Sequence, residues 1–223
     1  MSHDLPLDHL VVAVPNLAAA SAAFSSALGV ASATGGSHPD HGTCNALVSL
    51  GASAYLELLG PDPTLAEPGP WARRALALTA PDVWGFAVAA RDMEALASRA
   101  VALGLQVLGP SAGRRATPGG EYLNWRSLVL LDPDYAGLVP FAIDWMDSPH
   151  PSQTSGPSVA LKSMIVTHPQ PQRLRALYAG LGVKVPVHHG PRSSIVVTLE
   201  SGVCISTWVG SAAGLFTAPQ QTS

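Results

Sequence analysis

The stretch GGSHPDHGTCNALVSLGASAYLELLG, residues 35–60, decides how this chain is read. It opens on a Gly/Pro-rich loop that carries His38 and His41. Two apolar runs follow, TCNALVSLG and ASAYLELLG, and they meet at Gly51. Alternating runs joined at a glycine predict a β-hairpin. Within the second run a single carboxylate, Glu57, interrupts YLELL. A carboxylate in an apolar strand is costly to bury unless something pairs with it. A metal ion, a substrate and an arginine are all open as that partner.

Outward from the hairpin the same pattern returns. Three helix-like segments end alike, at Leu28-Gly29-Val30, Leu103-Gly104-Leu105 and Leu181-Gly182-Val183, with near-even spacing. Glycine after a periodic helix is a stop signal. An apolar strand precedes each helix: DHLVVAV (8–14), WGFAVAA (84–90) and LKSMIVT (161–167). Alternating strands follow each, including EYLNWRSLVLL with AGLVPFAIDW, and SSIVVTLE with VCISTW. The repeating unit is therefore βαβββ. The predicted fold is α+β: repeated βαβββ modules forming a curved mixed sheet, a cup, with amphipathic helices on its outer face. The first two modules, about 7–60 and 83–146, form one domain over 1–147. A Pro/Ser/Gly-rich linker spans 148–158, a shorter third module 159–210, and a tail 211–223. The third module is expected to dock beside the first pair or to meet its copy in a homodimer. PDPTLAEPGPW (61–71) reads as an exposed connection and SAGRRATPGG (111–120) as a lid-like loop.

Composition narrows the partners. Only 12% of residues are charged and the net charge is −3, so no basic field points to nucleic acid. No apolar run reaches the roughly 18–20 residues that span a bilayer. The start, MSHDLPLDHL, lacks the basic and apolar regions of a signal peptide. The expected location is cytoplasmic, with Cys44 and Cys204 reduced. Neither nucleic acid nor a membrane is expected as a partner.

The modules, with His9 in LDHLVVAV and Glu57 in AYLELLG, resemble the vicinal oxygen chelate superfamily, which includes glyoxalase I, extradiol dioxygenases and drug-binding proteins. The wider pattern, from GGSHPDHGTCN to the PFAIDW strand, is similar to its bacterial glyoxalase-like branch. The resemblance implies a site in the cup of two paired modules. It implies one divalent ion held from the first and fourth strands of each module, and lyase, isomerase or oxygenase chemistry. His9 and Glu57 fill the first module's two positions. By repeat alignment the second module offers Gly85 and Ala142, with Asp144 two residues on, and the third offers Ser163 and Ser206. Two alternatives therefore stay open for the cofactor: one divalent ion (Fe, Mn, Ni or Zn) on His9, Glu57 and His38, or no metal. Glu57 is expected as ligand or general base, His9 as ligand or acid–base group. Arg126 is expected either to anchor an anion or to form an edge-strand salt bridge. Asn45, Trp125, Arg115 and Phe141 are the expected substrate-binding residues. The function implied is a small-molecule enzyme; its rival is a metal-free, non-catalytic binder of an antibiotic-like or aromatic compound.

Overall fold

A computed structural model describes residues 4–117, 119–202 and 204–216. The strands and helices follow the repeat. The first module comprises β1 (Leu7–Ala13), α1 (Leu17–Leu28), β2 (Ala33–His38), β3 (Thr43–Ser49) and β4 (Tyr55–Pro61). A short helix, α2 (Pro70–Leu76), precedes the second module, β5 (Asp82–Ala89), α3 (Met93–Ala102), β6 (Gln106–Ala116), β7 (Tyr122–Leu131) and β8 (Phe141–Asp144). The third comprises β9 (Ala160–His168), α4 (Pro171–Leu181), β10 (Val187–His189), β11 (Ser194–Glu200) and β12 (Ile205–Gly210). Local chemistry sets the helix ends. Asn16 and Asp92 accept the backbone N–H of Ala19 and Ala95, capping α1 and α3. Gly29, Gly104 and Gly182 take φ of 68°, 82° and 89°, the left-handed turn that a Cβ would strain.

The first two modules share one eight-stranded sheet in the order β2-β3-β4-β1-β5-β8-β7-β6. The strands β1 and β5 run antiparallel at its centre, and each is flanked by the last strand of its own module, running parallel to it. His9 lies opposite Ala87, and Val11 opposite Gly85. With the helix caps Asn16 and Asp92 matched, His9 falls on Gly85, as the repeat alignment expects. The fourth strands correct that alignment by one residue. Glu57 pairs with Val11 on β1, and the matching partner of Ala87 is Phe141, not Ala142. Strand faces alternate, so one residue reverses the side. Ala142 lies in the core under the helices, and Phe141 faces the cup.

Alternation also sorts the two faces. Leu10, Val12, Leu56 and Leu58 pack outward against Phe24, Leu28, Met93 and Leu96 of α1 and α3. The third module has its own four-stranded sheet, in the order β10-β9-β11-β12. Val166, Ile195, Val197 and Leu199 of that sheet, with Leu174, Leu177 and Leu181 of α4, join the same core. The helices α1, α3 and α4 thus form a middle layer between two sheets of one chain, while α2 packs with Val11 and Leu59 on the cup side. Phe24 meets Trp208 with ring centroids 5.6 Å apart, and the Tyr178 hydroxyl donates to the Leu138 carbonyl at 2.5 Å. Among the described residues no helix is long and apolar enough to cross a membrane.

Three connections differ from the sequence reading. The exposed stretch before Trp71 ends in α2, whose start is set by Pro70 at its first turn. The lid-like loop belongs to β6 as far as Ala116, because Arg114 and Arg115 alternate out and in on a paired strand. Residues 211–216 of the tail run back to the cup: Gly214 N–H donates to Trp84, and Arg74 donates to the Gly214 and Leu215 carbonyls. Residues 217–223 lie outside the described residues.

Candidate active site

The sheet curls until its two edge strands approach. A Cβ on Gly36 of β2 would lie 2.7 Å from the Ala116 carbonyl of β6. The concavity holds a cavity of about 380 Å³. Its polar wall comes from the first module. Glu57 is 8% exposed, and its Oε1 accepts from Asn45 Nδ2 at 2.6 Å. Asn45 is held in turn by the Gly36 N–H, which donates to its Oδ1 at 2.8 Å. That bond fixes which end of the amide faces Glu57. The paired glycines of the opening stretch now have a reason. A Cβ on Gly35 would stand 1.9 Å from Asn45 Oδ1, and one on Gly36 would stand 3.1 Å from Arg115 Nη1. Each vacates the space that a site side chain fills.

His9 faces Glu57 across a gap: Nε2 to Oε2 is 3.8 Å, too long for a hydrogen bond. Its other nitrogen is gripped by Asp8 at 2.7 Å. A register shift between Leu7 and His9 lets these neighbours meet instead of pointing apart. Asp8 is 1% exposed and also accepts from Trp145 Nε1 and His150 Nε2. The Ser152 N–H donates to His150 Nδ1, so Nε2 carries the proton that faces Asp8. Burial pushes the Asp8 carboxyl up, but the hydrogen bonds and charges of His150 and His9 outweigh it and bring it to about 2. An ionised Asp8 fixes the ring of His9 and leaves Nε2 as the atom that looks into the cup.

The remaining wall is aromatic. Trp125, Trp145, Tyr55, His9, Phe141, Phe216, Trp71 and His41 form a continuous belt, neighbouring centroids lying 3.6 to 6.4 Å apart. His38 sits at the loop end of the cavity, with Nδ1 3.4 Å from Thr43 Oγ1. Burial lowers its pKa; Glu57 opposes that, while Arg115 and His41 reinforce it.

The structure thus brings together His9, His38, Asn45, Glu57, Arg115, Trp125 and Phe141. It does not bring Arg126. That guanidinium pairs with Glu94 on α3 and is absent from the cavity wall, because its strand position faces the helices. Arg115 is the buried cation of the cup. Sequence reasoning missed Asp8, Tyr55, His150, Trp71 and Phe216. Asp8 had a signal, an acid inside the apolar run LDHLVVAV. His150 and Phe216 had none, since both reach the site from segments without periodicity.

A model of the glyoxalase-like domain family matches residues 7–182. The chain belongs to that family. It therefore belongs to the vicinal oxygen chelate superfamily, with the modules and the cup that this implies. Among solved structures the chain is similar to a hypothetical protein from Staphylococcus aureus, at 15% identity and a TM-score of 0.61, covering 93% of this chain and 86% of that one. It is also similar to methylmalonyl-CoA epimerase from Mycobacterium tuberculosis, at 21% identity and a TM-score of 0.47, covering 62% of this chain and 86% of that one. The Streptomyces coelicolor epimerase variant in complex with 2-nitronate-propionyl-CoA aligns at 20% identity and a TM-score of 0.47, over 63% of this chain and 97% of that one. No curated protein matches the sequence.

The family resemblance implies a divalent ion, and the side chains test it. The first module offers His9 and Glu57, but the second offers Gly85 and Phe141 at the matching positions. Neither has a donor. Among the described residues no three His, Cys, Asp or Glu side chains converge as a group that could hold a metal, so His38 does not complete the pair. The residues present do not fit a centre ligated from both modules.

Proposed function

We propose that the protein is a small-molecule enzyme of the lyase or isomerase kind, moving a proton in the cup of its first two modules. The observation that carries this reading is the disposition of Glu57. One of its oxygens is fixed by Asn45; among the described residues the other accepts no hydrogen bond and faces His9 Nε2 across 3.8 Å. A carboxylate held in this way is a base aimed at a point in the cavity. His9, clamped by Asp8, presents a second nitrogen to the same point, where it gives or takes a proton. A carbon acid seated beside the two groups loses its proton to one of them and regains it from the other. Such chemistry needs a C–H acidified by a neighbouring carbonyl.

Deuterium exchange tests this. Native protein is incubated in D2O with a panel of 2-oxo and 3-oxo acids and their esters, and the α-proton is followed by NMR. The expected result is enzyme-dependent exchange in at least one member, slowed about 100-fold or more in Glu57→Gln and His9→Gln. Exchange that is absent throughout, or unchanged in Glu57→Gln, refutes the reading. The belt of rings favours a second reading, a non-catalytic binder of an aromatic compound. That reading predicts saturable binding with no exchange.

A further inference from the structure

We infer that the cup takes a monocarboxylate carried on an apolar, ring-bearing body, with Arg115 as the anchor of the carboxylate. This rests on the cup being the working site, and it adds the class of molecule that fills it. Arg115 is 6% exposed, and its side chain enters the cavity from β6. Among the described residues no carboxylate pairs with its guanidinium and no group accepts a hydrogen bond from it. Other arginines of this chain are met: Arg173 by Asp132, Arg126 by Glu94, and Arg74 by three backbone carbonyls and the face of Trp84. A buried guanidinium without a counter-charge is expensive, and the chain makes room for this one by placing glycine at position 36. Its planar fork of donors matches a carboxylate in a paired hydrogen bond.

The charge balance sets the valence. Arg115 and Glu57 are the two buried ionic side chains of opposite sign in the cavity. One guanidinium neutralises one negative charge, and a dianion would be repelled by Glu57. A carboxylate therefore fits better than a phosphate. The body follows from the wall beside β6. Trp125 lies against Gly113, where a Cβ would stand 2.4 Å from its indole, so that the ring fills the place of a side chain. It leads to Trp145 at 5.5 Å between centroids, and from there to Tyr55. A flat apolar group packs on such a surface. The cavity, at about 380 Å³, lies in the range of small-molecule sites.

The test compares 3-phenylpropanoate with 3-phenylpropanamide, isosteres that differ in charge, and with phenyl phosphate and inorganic phosphate. Binding is read by calorimetry and by quenching of the cavity tryptophans. Native protein should bind the carboxylate at least about 10-fold more tightly than the amide. Arg115→Gln should erase the preference, and Arg115→Lys should keep part of it. Arg126→Gln, at a residue paired with Glu94 and absent from the cavity wall, should leave it in place. Equal binding of acid and amide by native protein overturns the inference, as does no measurable binding of either. A preference that survives Arg115→Gln overturns it too. Tighter binding of phenyl phosphate than of the carboxylate refutes the assignment to a monocarboxylate, and inorganic phosphate binding alone shows an anion hole without the ring-bearing body. Near-UV circular dichroism checks the fold of each variant, and the native acid–amide comparison stands without any variant. The two proposals fail separately. Carboxylate preference without deuterium exchange refutes the proton-transfer reading alone. Exchange with no carboxylate preference refutes this one alone.

Discussion

Asp8→Asn is the substitution whose consequences the structure fixes most closely. The Asp8 carboxylate accepts from His9 at 2.7 Å, His150 at 3.2 Å and Trp145 at 3.3 Å, all in buried or half-buried surroundings. Its pKa falls from an ordinary 3.8 to about 2. That is a ratio of about 60 in proton affinity, or ~2.5 kcal/mol of stability. The sign follows from the direction. A carboxyl whose folded pKa is depressed contributes fully above its unfolded pKa of 3.8, and the contribution is lost as pH falls from there through about 2. An asparagine offers one acceptor to three donors and turns an N–H towards at least one of them. The expected cost is therefore about 2–4 kcal/mol at pH 7. Urea denaturation followed by tryptophan fluorescence, at pH 7 and then in steps from pH 5 to pH 2, reads both effects. The native chain should lose stability across the acid window more steeply than Asp8→Asn, and the two curves should converge towards pH 2. Other carboxyls, Asp62 among them, titrate in both proteins, so the difference between the curves isolates Asp8. Equal stability at pH 7, or parallel acid curves, would refute the account of Asp8 as an ionised hub.

Three further outcomes follow. Gly35→Ala should cost about 1–3 kcal/mol, because its Cβ would collide with Asn45 Oδ1 at 1.9 Å, and adding Asn45→Ala should recover part of that loss in a double-mutant cycle by thermal denaturation. Tyr178→Phe removes the hydroxyl that ties α4 to the Leu138 carbonyl and should cost about 1–2 kcal/mol, measured by urea midpoint. The pair Gly85→His and Phe141→Glu places donors at the second module's two positions. It should create Co(II) binding, seen by absorption spectroscopy, that is lost with His9→Ala; Gly85→His with Ala142→Glu should not.

The modules were legible in the sequence because each carries its own periodicity and its own stop. The glycines at 29, 104 and 182 mark the ends of three helices whatever surrounds them. His9 and Glu57 were legible as polar residues inside apolar strands, a local contradiction that a site explains. Arg126 looked like the same kind of contradiction, and it satisfies Glu94 on the outer face instead. One strand position separates the two outcomes: Trp125 and Ser127 on either side of Arg126 take the cup face, and nothing in the run NWRSL states that the charge takes the other. The placement of Ala142 failed for the same reason. The loop between β7 and β8 hides the register, and only the β5–β8 pairing shows that Phe141 stands where the first module has Glu57. Asp8 was hidden by a register shift, which lets two consecutive residues share a face.

The pairing also shows how the two halves of the cup came to differ. In the first module the inner face carries His9, Asn45 and Glu57; in the second the matching positions carry Gly85 and Phe141, with Ile143 and Trp125 beside them. A site built by exact repetition would present the same groups to both ends of a ligand. This one carries its buried carboxylate and amide on the first module's side, so its two halves are chemically unequal. The buried charge on that half is Arg115, and it stands where β6 curls round to meet β2, beside the loop that carries His38. On the proposed reading, a carboxylate on Arg115 shares the cavity with Glu57 and His9, and Trp125 and Trp145 line the same cavity. The segments that close the cup come from beyond the two modules: His150 from the linker supports Asp8, and Phe216 from the chain's return packs on Phe141 and Trp71. The third module thus contributes to the site through the chain that leaves it, and deleting that segment would open the aromatic belt at one point without touching Glu57.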